Sequence, residues 1–170
     1  MSRAALLLLA LAAGCMPRPA GGGDEAATPA AATSAPDSTV VSLERAPCFG
    51  TCPVYRVTIS RAGQVRFTGV RHTQQTGEAS AQIAPARVDS LVAELREAGY
   101  FDFADAYEPG TDACGATATD LPSVTTSVVA GGRRKEIRHY YGCSAAPQEL
   151  VRLERRIDEV AGTARWIGTR

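Results

Sequence analysis

The sequence predicts an α+β domain: an antiparallel β-sheet in the order ββββαββα, with two helices packed on one face. Three observations predict it. Short runs alternate apolar and polar residues and are joined by tight-turn sequences, a pattern that pairs neighbouring strands antiparallel. Two longer runs carry apolar residues at i, i+3, i+4 and i+7, the stripe of a helix lying on a core. With only two helices to cover the strands, packing both on one face is the economical layer arrangement.

Taken in order, "TVVSLER" (Thr39 to Arg45) and "VYRVTIS" (Val54 to Ser60) are the first strands. In the second, Tyr55, Val57 and Ile59 alternate with Arg56, Thr58 and Ser60, the period of a strand with one wet face. The turn Arg61-Ala62-Gly63-Gln64 leads back into "VRFTGV", which makes a hairpin, and a fourth strand covers Glu78 to Ile83 after a polar loop around His72. Pro85 opens a helix whose stripe is Val88, Leu91, Val92, Leu95 and Ala98, and Gly99 stops it. The segment from Tyr100 to Asp120 supplies aromatics and the acids Asp102, Asp105, Glu108, Asp112 and Asp120, which are expected to seal a sheet edge and face water respectively. "SVTTSVVAGGRRKEIRHYYG" is a second hairpin around Gly131-Gly132, a dipeptide that accepts the positive φ angles of a tight turn. Its register is ambiguous, since Val128 and Val129 are both apolar and Ile137 stands alone on its strand. Pro147 to Ala161 is the second helix, striped by Leu150, Leu153, Ile157 and Val160 and stopped by Gly162. Trp166 follows as a hydrophobic latch for the C-terminal segment.

The first residues are of a different kind. Met1 to Gly14 carry one charge, Arg3, then the apolar run Ala4 to Ala13, the make-up of a signal peptide. That run is about half the roughly 20 residues a membrane-spanning helix needs. Ala12-Ala13-Gly14-Cys15 resembles the lipobox of bacterial lipoproteins, in which the cysteine is acylated with palmitate or related chains and becomes the mature N-terminus. Acyl methylenes contribute about 0.8 kcal/mol each on burial, so a multiply acylated cysteine is an effective anchor. Met16, rather than an acid, follows Cys15, which by the sorting pattern of such lipoproteins favours the outer membrane. From Pro17 to Ser38 the chain is Ala, Pro, Gly, Thr and Ser with few charges, too poor in large apolar groups to offset the entropy of ordering. The expected organisation is therefore a signal peptide (1–14), an acylated cysteine with a flexible tether (15–38) and one domain (39–170).

Lys and Arg number 18 and Asp and Glu 18, a formal net charge of zero. No global basic field of the kind nucleic-acid binders use is present. Apart from Cys15 there are Cys48, Cys52, Cys114 and Cys143; an even number in an exported chain reads first as two disulfides, with three possible pairings. Of these, Cys48 with Cys52 and Cys114 with Cys143 is favoured, the small first ring being feasible if Phe49-Gly50-Thr51 turns tightly. On the loop-entropy model the second would contribute roughly 3.5 kcal/mol and the first roughly 2. The two bridges are then expected to brace the two hairpins.

The same cysteines admit a second reading. Cys-x-x-x-Cys-Pro resembles the copper motif of cytochrome-oxidase assembly chaperones, and His139 stands downstream as a third ligand, so Cys48, Cys52 and His139 form an alternative copper or thiol-redox site. In those chaperones the motif opens a helix, whose dipole tunes the thiols; here Cys52-Pro53 leads into a β-branched alternating run instead. A four-cysteine zinc site is disfavoured because only one pair is close in sequence. No nucleophile elbow, zinc-protease helix, phosphate loop or dinucleotide fingerprint is present. An enzyme built on ordinary polar residues would centre on Asp120 and His139 and requires that the two meet in a pocket. The acids from Asp102 to Asp120 lack the spacing of a calcium loop, and "RRKEIR" (Arg133 to Arg138) is a solvated or salt-bridged edge rather than an anion site.

The stretches "LER" (43–45), "CFGTCPVYRV" (48–57), "TDLPS" (119–123), "HYYG" (139–142) and "ARWI" (164–167) together resemble an uncharacterised bacterial family, a domain of unknown function found on lipoproteins and secreted chains. The resemblance covers about Val40 to Ile167. It implies a single domain, favours the pairing of Cys114 with Cys143, and brings no activity, substrate or catalytic residue. The functional expectation is a lipid-anchored, non-enzymatic binding or interaction module of the bacterial envelope. Its implied contacts are a membrane through the lipid and an envelope protein partner, with no cofactor and no nucleic acid. Without acylation at Cys15 it would be secreted.

Overall fold

A computed structural model describes residues 39–168. The expected signal peptide, Cys15 and the tether lie outside the described residues. One sheet of seven strands runs in the spatial order β4-β3-β2-β1-β6-β7-β5. Its strands are β1 (Thr39–Arg45), β2 (Val54–Ser60), β3 (Gln64–Arg71), β4 (Gly77–Gln82), β5 (Ala106–Tyr107), β6 (Ser123–Ala130) and β7 (Arg133–Tyr140). All pairings are antiparallel except that of the two-residue β5, which lies parallel to β7. Helices α1 (Pro85–Glu97) and α2 (Gln148–Ala161) are joined by ion pairs, and a short α3 (Ala164–Ile167) follows. The α+β class and the order of the main elements are those the sequence predicts. The short β5 is additional; it pairs only with Arg138 and His139, so most of "RRKEIR" has no strand partner on its outer side and is salt-bridged there, as the sequence suggests.

Strand alternation decides which side chains enter the core. Reading across the sheet, Phe67, Val57, Leu43, Thr126 and Ile137 form one inward row. Val65, Ile59, Val41 and Val128 form the next, ending on the half-buried Lys135. Leu91 and Leu95 of α1 and Leu150, Leu153 and Ile157 of α2 are buried in the same core. Two irregularities explain apolar residues that break the alternation. A register shift between Thr39 and Val41 lets Val40 and Val41 both be buried. A second, opposite Val54 and Tyr55, skips Val70 and leaves it 65% exposed.

The ambiguous second hairpin resolves by its turn. Ala130 pairs with Arg133 across a two-residue loop, and Gly131 and Gly132 both have positive φ, 56° and 76°, the conformation that matches the twist of the flanking strands. This places Val128 and Ile137 inward. The basic strand then latches onto the segment before β6. Lys135 bonds Asp105 and the Phe103 carbonyl, Arg138 pairs with Glu108 at 3.1 Å, and the Arg133 guanidinium lies over the Phe101 ring. Asp105 and Glu108 are thus partners of β7, whereas the sequence alone suggests only solvated acids. Trp166 is buried and stacks on Phe67 at 4.9 Å between ring centres, so α3 is latched to the sheet.

Candidate functional site

The inward side of the sheet changes character at one end. After Leu43 the next inward position of β1 is Arg45, and the register sets Tyr55, Arg45, Val124 and His139 side by side. Above this row, α2 presents Glu154 and Asp158, one turn apart on the face that also carries Leu150 and Ile157. Arg45 donates from Nε and Nη2 to Asp158 Oδ2 at 2.9 and 2.7 Å. The other carboxylate oxygen accepts from the Tyr55 hydroxyl at 2.7 Å and from Thr163 Oγ1 at 2.9 Å. Arg45 Nη1 donates to the Tyr141 hydroxyl at 3.0 Å, which donates to Glu154 Oε2 at 2.8 Å. Glu154 Oε1 lies 2.8 Å from Nδ1 of His139, both side chains being almost wholly buried. A continuous chain of polar contacts therefore runs from Thr163 to His139.

The cost of burying these charges is met inside the chain. Among the described residues no buried side-chain nitrogen or oxygen lacks a partner. Burial disfavours the Arg45 guanidinium, but Asp158, with Tyr55 and Tyr141, outweighs it and holds the arginine above its usual value. Burial, reinforced by Asp158 and opposed by Arg45, raises the Tyr55 hydroxyl. Burial likewise pushes Tyr141 up to about 12, with Arg45 opposing and Glu154 adding to the rise. Both phenols are thus neutral hydrogen-bonding groups at physiological pH.

The outer end of this network forms the wall of a cleft of about 610 Å³. Its polar lining is Arg45, Tyr55, Asp158 and Arg155, and its apolar lining is Ala46, Cys52, Pro53, Pro122 and Ile167. The rim is the 48–52 loop, closed by the Cys48–Cys52 disulfide, which projects Phe49 at 88% exposure. This loop is fastened to the 119–123 loop, since Phe49 N donates to the Asp120 carbonyl and Ala46 N to that of Ser123. Leu121, 42% exposed, stands on this second loop beside Pro122. Tyr140 and Tyr141 support the second loop: Leu121 N donates to the Tyr140 hydroxyl, and Tyr141 N to the Pro122 carbonyl.

The family model described as a domain of unknown function, DUF6438, matches residues 39–161. The chain belongs to this family. A comparison with curated proteins finds no match. The five stretches quoted from the sequence meet at the cleft and its support, the last of them (164–167) beyond the residues the family model matches. They supply Arg45, then Cys52, Pro53 and Tyr55, then Pro122, Tyr141 and Ile167.

Cys48 pairs with Cys52 and Cys114 with Cys143. The first bridge closes the connection between β1 and β2, rather than bracing the β2–β3 hairpin. The second ties the loop before β6 to the segment after β7, where Thr117 bridges Cys143 and Ala118 N donates to the Gly142 carbonyl. Gly142 is required there by close approach, because a Cβ at this position would lie 2.2 Å from the Ala118 oxygen. His139 is buried against Glu154, and among the described residues no three His, Cys, Asp or Glu side chains are arranged to hold a metal ion. Cys48, Cys52 and His139 are therefore not brought together as a ligand set. Asp120 is exposed on its loop with a φ of 69°, whereas His139 is buried in the core.

Arg45, Tyr55, Glu154, Asp158 and Tyr141 escape sequence reasoning as a group. Their signal is present in the parity of the strands and helix: Arg45 has the parity of Val41 and Leu43, and Tyr55 that of Val57 and Ile59. Glu154 stands four residues after Leu150 and Asp158 four after Glu154, inside the apolar stripe of α2.

Proposed function

We propose that the chain is an exported, lipid-anchored protein of the bacterial envelope, and that its disulfide-braced domain is a non-enzymatic binding module whose site is the cleft beside Arg45 and Asp158. The observation that carries the binding reading is the state of the polar groups there. The Asp158 carboxylate already accepts four hydrogen bonds, two of them from Arg45, and Tyr55 and Tyr141 are engaged on both sides. Groups committed in this way form a fixed wall. They are poorly placed to take up and release protons, whereas a mostly apolar concavity with a few fixed polar groups is the common form of a ligand site. The volume falls within the range such sites occupy, about 300 to 1,000 Å³.

Export and anchoring are supported by the apolar run before Cys15, by the small residues at Ala12-Ala13-Gly14, and by two disulfides, which persist in oxidising compartments. The anchor would hold the domain to the outer membrane through the 15–38 tether. The test is metabolic labelling with palmitate in a bacterial host that processes lipoproteins, followed by membrane fractionation. The wild-type chain is expected to carry label and to sediment with membranes, and Cys15→Ser to do neither. Label retained by Cys15→Ser, or a wild-type chain without label, would overturn the anchoring.

A further inference from the structure

The cleft has an unbalanced charge, and that imbalance specifies an occupant. Of its four polar lining residues, Arg45 and Asp158 neutralise one another at 2.7 Å, and the Tyr55 hydroxyl is held between them. Arg155, one helical turn before Asp158, is exposed at the mouth. Among the described residues its guanidinium makes no hydrogen bond, ion pair or ring contact. The neighbouring α2 arginines differ: Arg152 and Arg156 are both engaged by Glu94, and further by Glu149 and Glu159. One positive charge thus remains uncompensated at the cleft, and no unpaired negative charge lines it.

Arg45 adds directional capacity without net charge. A guanidinium has five N–H donors. The contacts of Arg45 to Tyr55, Asp158 and Tyr141 use Nε and one hydrogen on each Nη, which leaves one donor on each Nη. The side chain is 15% exposed, and the cleft is lined by it. The remainder of the lining is apolar, from Ala46, Pro53, Pro122, Ile167 and the Cys52 side of the disulfide.

Resting on the reading of this cleft as a binding site, we propose that its ligand is a small apolar carboxylate, an aliphatic acid whose carboxylate meets Arg155 and the spare N–H groups of Arg45 while its chain lies on Ala46, Pro53, Pro122 and Ile167. A purely apolar ligand would leave Arg155 unused, and a cationic one would face it unfavourably. The size of the concavity suits a small molecule, which is why a free acid is assigned rather than the end of a protein chain.

The test uses the exported Cys15→Ser chain with both disulfides formed. Amide chemical shifts are followed while decanoate, decan-1-ol and decyltrimethylammonium are added separately. Decanoate is expected to give saturable shifts at Ala46, Cys52 and Ile167, and decyltrimethylammonium to bind at least about tenfold more weakly. Arg155→Gln, at an exposed residue without partners, is expected to weaken decanoate about tenfold, the effect of one charge-assisted contact, and to leave decan-1-ol unchanged. Equal binding of the three probes at those amides would overturn the carboxylate assignment and leave the cleft a binding site. No saturable shift with any of them, or with an N-acetylated peptide ending in a free leucine carboxylate, would overturn the binding reading of the cleft as well. Binding of that peptide without decanoate would assign the cleft to chain termini and overturn the small-ligand proposal.

Discussion

Arg45 sits at the hinge between core and cleft, and its partners set what it costs to keep it there. Its side chain is 15% and that of Asp158 17% exposed, so the pair lies close to the buried limit, where removing one partner strands the other charge. Asp158→Asn is expected to lower unfolding free energy by about 2 to 3 kcal/mol, at or just under the low end for a buried pair. Adding Arg45→Met to it should cost less than the sum of the two single changes, because the stranded guanidinium is gone. Urea unfolding of the four chains in this cycle checks both statements; additive losses would show that the pair is not coupled. At this scale the sequence is only partly legible. Strand parity points Arg45 and Tyr55 inward, but nothing local says that a second element, 113 residues further on, supplies the acid that makes an inward arginine tolerable. His139 is legible as a structural strand residue, and its partner Glu154 is not, for the same reason.

Elements follow the sequence pattern closely where side-chain period and turn chemistry agree, and depart from it where pairing is long-range. β1 and β2 begin and end as the alternation indicates, and the glycine pair at 131–132 fixes the β6–β7 register. β5 is two residues long and is held by a parallel pairing to β7, which no local pattern announces. The helices are joined by a charged clip that is also non-local: Glu94 of α1 accepts from Arg152 at 2.6 Å and from Arg156 at 3.0 Å of α2. Hydrogen bonding from Arg152, opposed by burial and joined by Arg156, lowers the Glu94 pKa below its usual value. A carboxylate depressed in the folded state adds stability at pH values above its unfolded pKa, about 4.3, and that stability is lost as pH falls through the folded value. With 29% of the Glu94 side chain exposed, solvent screening keeps the contribution below about 1 kcal/mol. Wild type is therefore expected to exceed Glu94→Gln in urea stability by that amount at pH 7. The gap should close as the solution is acidified below about pH 4. A gap that persists or widens in acid would contradict the clip.

At the scale of the whole domain, residues 39–168 form an α+β layer with its helix-covered face apolar at one end and polar at the other. The two disulfides reinforce the loops around the polar end: Cys52 lines the cleft, and the Cys114–Cys143 segment lies next to the Tyr140-Tyr141 support. Cysteine count and spacing make the bridges legible in the sequence alone, while the cleft requires the meeting of β1, β2, α2, α3 and two loops. The cleft lies at the Arg45 end of β1, separated by the length of that strand, roughly 20 Å, from Thr39.

The most direct test of a lipid-anchored, disulfide-braced module is the intact mass of the protein made in its native envelope, measured before and after reduction. The expected result is a chain that begins at Cys15, carries acyl groups, contains no free thiol, and gains two hydrogens for each of its two disulfides on reduction. A chain cleaved elsewhere or left without acyl groups would contradict the lipid anchor. Free thiols at Cys48 and Cys52 in the unreduced protein would contradict the braced rim on which the cleft depends.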